Sequence, residues 1–120
     1  MVHKLGHLSE LDGIPITDPM VRADLEEYLR VLDNEYGDDR NVADDDGGYV
    51  LYCNEGTTEQ ELKSFFDYSQ CNVEYVNRRL NASPPFCSAL FLLNNEYAVV
   101  IVMTIADAPV EITEAFEEEY

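Results

Sequence analysis

Phe86-Cys87-Ser88-Ala89-Leu90-Phe91-Leu92-Leu93, then Asn94-Asn95-Glu96, then Tyr97-Ala98-Val99-Val100-Ile101-Val102-Met103-Thr104-Ile105 is the stretch that decides the fold. Two apolar runs are separated by three polar residues. Both runs are rich in β-branched and aromatic residues, which suit a pleated surface. Asparagine tolerates the left-handed backbone that tight turns demand. The pattern predicts a β-hairpin. Because both runs are apolar for most of their length, their strands are expected at the centre of a sheet.

Upstream, Tyr49 to Cys53 is a compact apolar run and reads as a well-buried strand. Asn54-Glu55-Gly56 is a turn. Thr58-Glu59-Gln60-Glu61 is a capping-box pattern that opens a helix with apolar positions at Leu62, Phe65 and Phe66. Cys71, Val73 and Tyr75 alternate with Asn72 and Glu74, the period of a half-buried strand. The clearest helix covers residues 18–36. Thr17 or Asp18 can cap it, and Pro19 suits the first helical position. Val21, Leu25, Tyr28, Leu29, Leu32 and Tyr36 recur at helical spacing, and Gly37 supplies the stop. Downstream of the hairpin, Pro109 precedes Ile112, Ala115 and Phe116 at helical spacing, predicting a short amphipathic helix.

The expected architecture is α+β, with the order α-β-α-β-β-β-α. About four mostly antiparallel strands form one sheet, with two to three helices packed on one face. Residues 1–120 read as a single domain. Residues 1–17, broken by Gly6, Gly13 and Pro15, are an N-terminal arm packing onto it, and residues 107–120 are an acidic C-terminal segment.

Charge is the strongest functional signal. Twenty-five acidic residues face seven basic ones, a formal net charge of −18. On the long helix, Asp18, Arg22, Glu26 and Arg30 follow one another four apart, so opposite signs alternate along one face. Residues 33–47 and 107–120 carry net −6 each, two-thirds of the excess. Carboxylates packed within a Debye length of about 8 Å repel at physiological salt. A basic partner would relieve that repulsion; plain solubility is the alternative use of an acidic surface. Convergence of the two segments in the fold would favour the partner, and separation would favour solubility.

The same charge argues against direct contact with nucleic acid, because seven scattered bases make no phosphate-binding patch. Anionic membrane surfaces are disfavoured likewise. The first ten residues contain no apolar signal-peptide core, and the run from Tyr97 to Met103 is far too short to span a bilayer. Cys53, Cys71 and Cys87 are odd in number and form no C-x-x-C, which fits a reducing compartment. All three sit in or beside strand-like runs and read as small buried hydrophobes. The expected location is the cytoplasm.

Catalytic and metal chemistry find little purchase. Asp44-Asp45-Asp46-Gly47-Gly48 fails the calcium-loop spacing, since position five from Asp44 is Gly48 and position six is Tyr49. His3, His7 and Glu10 would need one helical face to share a metal, and Gly6 interrupts it. The cysteines have no electropositive surroundings to activate them. Phosphate-binding glycine loops and nucleophile-elbow motifs are missing. The doubled base Arg78-Arg79 reads as a structural partner for the acidic loop or tail. No catalytic residue, cofactor or metal ligand is assigned, and the balance leans away from an enzyme.

In composition the chain resembles small acidic inhibitors: nucleic-acid mimics, and immunity proteins against cationic nucleases. The likeness is one of composition alone and carries over no residues. The reading is a small acidic binding protein, a nucleic-acid-mimic or immunity-type inhibitor of a basic nucleic-acid-handling protein. Its partner-binding residues would be Asp38, Asp39, Asp44, Asp45 and Asp46 in one patch and Glu114, Glu117, Glu118 and Glu119 in another. The alternative is a structural or assembly module, a homodimer through a strand edge or an aromatic surface. A small enzyme or ligand-binding domain ranks third and would require a concave pocket.

Overall fold

A computed structural model describes residues 1–39, 48–93 and 97–118. The chain runs through β1 (Val2–Leu5), a 3-10 turn (Leu8–Gly13), α1 (Pro19–Tyr36), β2 (Tyr49–Cys53) and α2 (Glu59–Phe65). A second 3-10 turn (Tyr68–Gln70) leads to β3 (Val73–Arg79), β4 (Phe86–Leu93) and β5 (Tyr97–Thr104). A third (Ile105–Asp107) leads to α3 (Val110–Glu118). One sheet holds the strands in the order β1-β2-β5-β4-β3. The class is therefore α+β, as expected.

The decisive hairpin is present. β4 and β5 pair antiparallel from Phe86↔Thr104 to Leu93↔Tyr97, and β5 lies in the middle of the sheet. The turn residues 94–96 lie outside the described residues. The long helix begins at its Asp18 cap, whose carboxylate accepts the Met20 amide at 2.8 Å, and ends where Gly37 turns out with φ +94°. Thr58 and Glu61 close the predicted capping box at the start of α2.

Two expectations need correction and one is refined. The sheet has five strands rather than about four, because Val2–Leu5 pairs antiparallel with β2, in register Val2↔Cys53 to Leu5↔Val50. The N-terminal arm is thus an integral edge strand. Its polar residues still bury carbon: Lys4 lies over the Tyr49 ring at 4.4 Å, and His3 stacks on Tyr52 with ring centres 5.9 Å apart. Secondly, the sheet is mostly antiparallel, as expected, with one parallel pairing, β2 with β5. Thirdly, the helices are not confined to one face. Leu62, Phe66, Tyr68 and Ile112 pack on one side with Leu51, Phe91, Ile101 and Met103. On the other, Leu11, Val21, Leu25, Leu29 and Leu32 pack with Val50, Val100 and Val102.

The two-sided cover follows from β2 and β5. Successive side chains of a strand point to opposite faces. In both strands nearly every position is apolar, so each face receives a set that must leave water. Exposing Val50, Val100 and Val102 would cost about 1.5–3 kcal/mol apiece, a large part of a typical stability of about 5–15 kcal/mol. Helices on one face would have left that set bare. Where the layers meet, Gly48 admits no side chain: a Cβ there would stand 2.7 Å from Leu32 Cδ2 and 2.8 Å from the Ala98 carbonyl.

Candidate binding surface

A single helix about 10 Å across cannot cover a sheet whose five strands span roughly 19 Å. On the α1 face, the segment from Leu8 to Ile16 covers part of the remainder beside β1 and β2. On the other side of α1, toward β4 and β3, a hollow of about 350 Å³ is left. Its walls are Tyr28, Val31 and Leu32 of α1 and Tyr75, Leu90 and Leu92 of the sheet, with Glu27 and Glu35 at its margin. Val31, Tyr75 and Leu92 are 46%, 45% and 37% exposed, three of the few large apolar side chains left to solvent among the described residues.

Tyr75 reaches this hollow because of a break in register. Val73 pairs with Phe91, Tyr75 with Leu90 and Val76 with Ala89, so a bulge intervenes at Glu74. Bulges re-aim side chains. The simple alternation predicted for Val73 and Tyr75 would put both on one face. Instead Val73 and Val76 join the cluster beneath α2 and α3, and Tyr75 turns to the α1 side beside Tyr28. Burial, then its neighbour Tyr28, raises the Tyr75 phenol above its ordinary value. One residue pair fixes α1 against the same strand: Arg79 donates from Nε and Nη2 to the two carboxylate oxygens of Asp24, each at 2.9 Å. The Asp24 side chain is 11% exposed. Arg79 therefore belongs to α1, not to the acidic loop or tail as the sequence reading had it.

The acids divide as follows. Asp38 and Asp39 are exposed just beyond the end of α1. Asp44, Asp45, Asp46 and Glu119 lie outside the described residues. Glu117 and Glu118 belong to α3, but their side chains are likewise outside the description, and Glu114 is exposed on the same helix. Because α1 and α3 cover opposite faces, Asp38 and Asp39 follow the helix of one side and Glu114 belongs to the helix of the other. They share an end of the sheet. Glu114 lies near Val73, where β3 begins; Tyr36 lies near Gly48, where β2 begins; and the ladder links these ends through Phe91 and Val99.

The bases are already engaged. Arg22 meets Asp12 at 2.9 Å and Glu26 at 3.3 Å, Arg30 meets Glu27 at 3.3 Å, and Lys63 meets Glu59 at 3.1 Å. Arg30 therefore takes Glu27, not the Glu26 that four-residue spacing suggested. With Lys4 over its ring, Arg79 on Asp24 and Arg78 also partnered, each base among the described residues has a contact. The histidines are separated by function: His7 Nδ1 lies 2.9 Å from Asp33, while His3 lies on Tyr52. Cys53 and Cys87 are buried, and burial pushes both thiols up to about 12. Such thiols stay protonated and unreactive at neutral pH.

A hollow of equal volume, about 350 Å³, lies on the α3 side with polar walls from Ser69, Asn72, Glu111 and Glu114. A smaller one of about 170 Å³ opens at the carboxyl ends of β2 and β5, among Asp18, Tyr52, Glu55, Ser83 and Thr104. Asp18 is committed there to capping α1. No helix among the described residues is long and apolar enough to cross a membrane. Comparison with known proteins returns no matching family model, no similar curated protein and no similar solved structure.

Sequence reasoning missed Val31, Tyr75 and Leu92 as surface features. Val31 carried a signal, for it stands off the apolar stripe of its helix. Tyr75 carried none, since a bulge cannot be read from an alternating run.

Proposed function

We propose that this chain is a small acidic binding protein that recognises a basic protein. The observation that carries the reading is the imbalance of engaged charge. The described bases are spent on internal contacts, whereas Asp38, Asp39 and Glu114 remain exposed. Any long-range field from this surface is therefore negative, and it steers cationic partners at diffusion-controlled encounter. A nucleic-acid-handling protein is the natural class of partner, because its phosphate-binding groove is a cationic surface that clustered carboxylates can occupy. The described acids of the two segments, Asp38 and Asp39 after the helix of one side and Glu114 on the helix of the other, are separated, which counts toward solubility and against one continuous phosphate-like strip drawn from both segments. The separation favours the α1 face, where exposed acids adjoin exposed apolar surface.

Affinity capture from the native host at low salt, eluted by a salt gradient, tests the reading. A basic nuclease, restriction subunit or DNA-binding protein released as salt rises is the expected result. Conversion of Asp38, Asp39 and Asp44–Asp46 to Asn should weaken the complex steeply. Binding that ignores both salt and these substitutions would leave solubility as the role of the charge. The homodimer reading is checked by light scattering at several concentrations, where a strict monomer counts against it.

A further inference from the structure

We infer that the hollow between α1 and β3–β4 receives an apolar anchor of the basic partner: a large aliphatic or aromatic side chain on a segment flanked by lysine or arginine. The inference rests on the binding reading above and gives it an address. Exposed apolar residues scattered singly need no explanation, but a contiguous set does. Val31, Tyr75 and Leu92 come from three different elements and line one hollow of about 350 Å³. Tyr75 is present only because the bulge at Glu74 turns it away from the core beneath α3. Tyrosine is also among the residues that most often carry binding energy, offering large contact area with few torsions to freeze.

The charge around the hollow selects the occupant. Glu27 and Glu35 stand at its margin, and Asp38 and Asp39 follow within a turn of the helix end. Arg30 offsets Glu27 but leaves Glu35, Asp38 and Asp39 in excess. A second copy of this chain would bring a further net charge of −18 against the first. An apolar segment with acidic flanks would be repelled in the same way. An apolar side chain with cationic flanks fills the hollow and meets the carboxylates at once, the usual arrangement of an apolar interface centre with a polar rim.

The test uses three labelled synthetic peptides of equal length, read by fluorescence anisotropy. One carries a Leu-Trp-Leu centre between lysine runs, one a Gly-Ser centre between the same lysines, and one the Leu-Trp-Leu centre between glutamates. The first should bind at least about ten-fold tighter than the second, a gap of about 1.4 kcal/mol, and the third should not bind. Val31→Glu and, separately, Leu92→Glu are then compared, with thermal melting as the check on folding. Both substitutions add negative charge. If charge alone drives binding, they strengthen it; if the hollow holds the anchor, they weaken the first peptide about ten-fold while leaving the second unchanged or tighter. Equal binding of the first two peptides, or tighter binding by folded variants, overturns the inference and leaves the acidic binding reading standing. No salt-sensitive binding of either lysine peptide overturns both. A concentration-dependent dimer abolished by Val31→Glu makes a second copy the occupant and overturns the inference as well.

Discussion

The two faces of the sheet are covered by different means, and the difference explains where apolar side chains of the strands stay exposed. One face is roofed by short pieces: α2, the 3-10 turn carrying Tyr68, and α3. Short pieces can be set side by side, and Leu62, Tyr68 and Ile112 of the roof and Leu51, Phe91 and Ile101 of the sheet beneath it are all fully buried. The other face relies on the 18-residue α1. One long helix buries a row beneath itself but cannot widen, so the strands beyond its flank stay partly bare. The roof of short pieces leaves a polar-walled hollow among Ser69, Asn72, Glu111 and Glu114, whereas the single beam leaves an apolar groove beside its core.

The largest effects should come from breaking either roof. Phe91→Ala on the first face should cost about 3–5 kcal/mol and Leu29→Ala beneath α1 about 2–5 kcal/mol, read from urea midpoints. A marked shortfall at Leu29 would mean that the α1 face is only loosely packed. Next comes alkaline sensitivity, a property of the first face, where Cys53 and Cys87 both lie. The ordinary thiol value is 9.0, and burial lifts both to about 12 in the folded chain. Below pH 9 both thiols keep their protons whether folded or not, so their contribution is flat. Between about pH 9 and 12 only the unfolded chain ionises, and stability falls by up to about 1.4 kcal/mol per pH unit per thiol. Cys87→Ala should make that slope shallower in urea titrations run at several pH values, and an unchanged slope would point to other groups.

Smaller is the effect expected at the clamp between α1 and β3. Arg79→Ala leaves the nearly buried Asp24 carboxylate without its fork and should cost about 1–3 kcal/mol. Arg79→Lys should restore only part, because an ammonium cannot reproduce the paired hydrogen bonds. Smallest is Val31→Ala, two residues from Leu29, which should stay within about 0.5 kcal/mol in the same assay. A loss comparable to that of Leu29→Ala would show that the groove is closed in solution.

The local elements were legible because their signals are local. The Asp18 cap, the Gly37 stop and the Thr58–Glu61 box each satisfy backbone groups within a few residues, so α1 and α2 emerge from short windows of sequence. The β4–β5 hairpin is legible for the same reason. β1 was not, since Val2 and Leu5 point to opposite faces with polar residues between them, and only the pairing with β2 makes the segment a strand. The parallel pairing of β2 and β5 joins residues about fifty positions apart and leaves no local mark. Yet the two-sided burial did leave one: the unbroken apolar runs Tyr49–Cys53 and Val99–Met103 are the composition of strands covered on both faces. Of the candidate site, the acids were visible as charge, while the groove beside them depends on a bulge and on the width of a helix.

The strand order has a temporal meaning as well. β1 and β2 make one half of the sheet and β3 and β4 the other, and the two halves have no shared ladder except through β5. As the chain is synthesised from its N-terminus, the residues of both halves are made before the strand that unites them. The sheet can close only when Tyr97–Thr104 is available to insert between β2 and β4. Long-range closures of this kind are slow, and they expose strand edges meanwhile. A nascent chain shed with Glu96 as its last residue would lack the strand that both halves pair with, and any edge it formed would be shielded from a neighbour's by the surplus of negative charge.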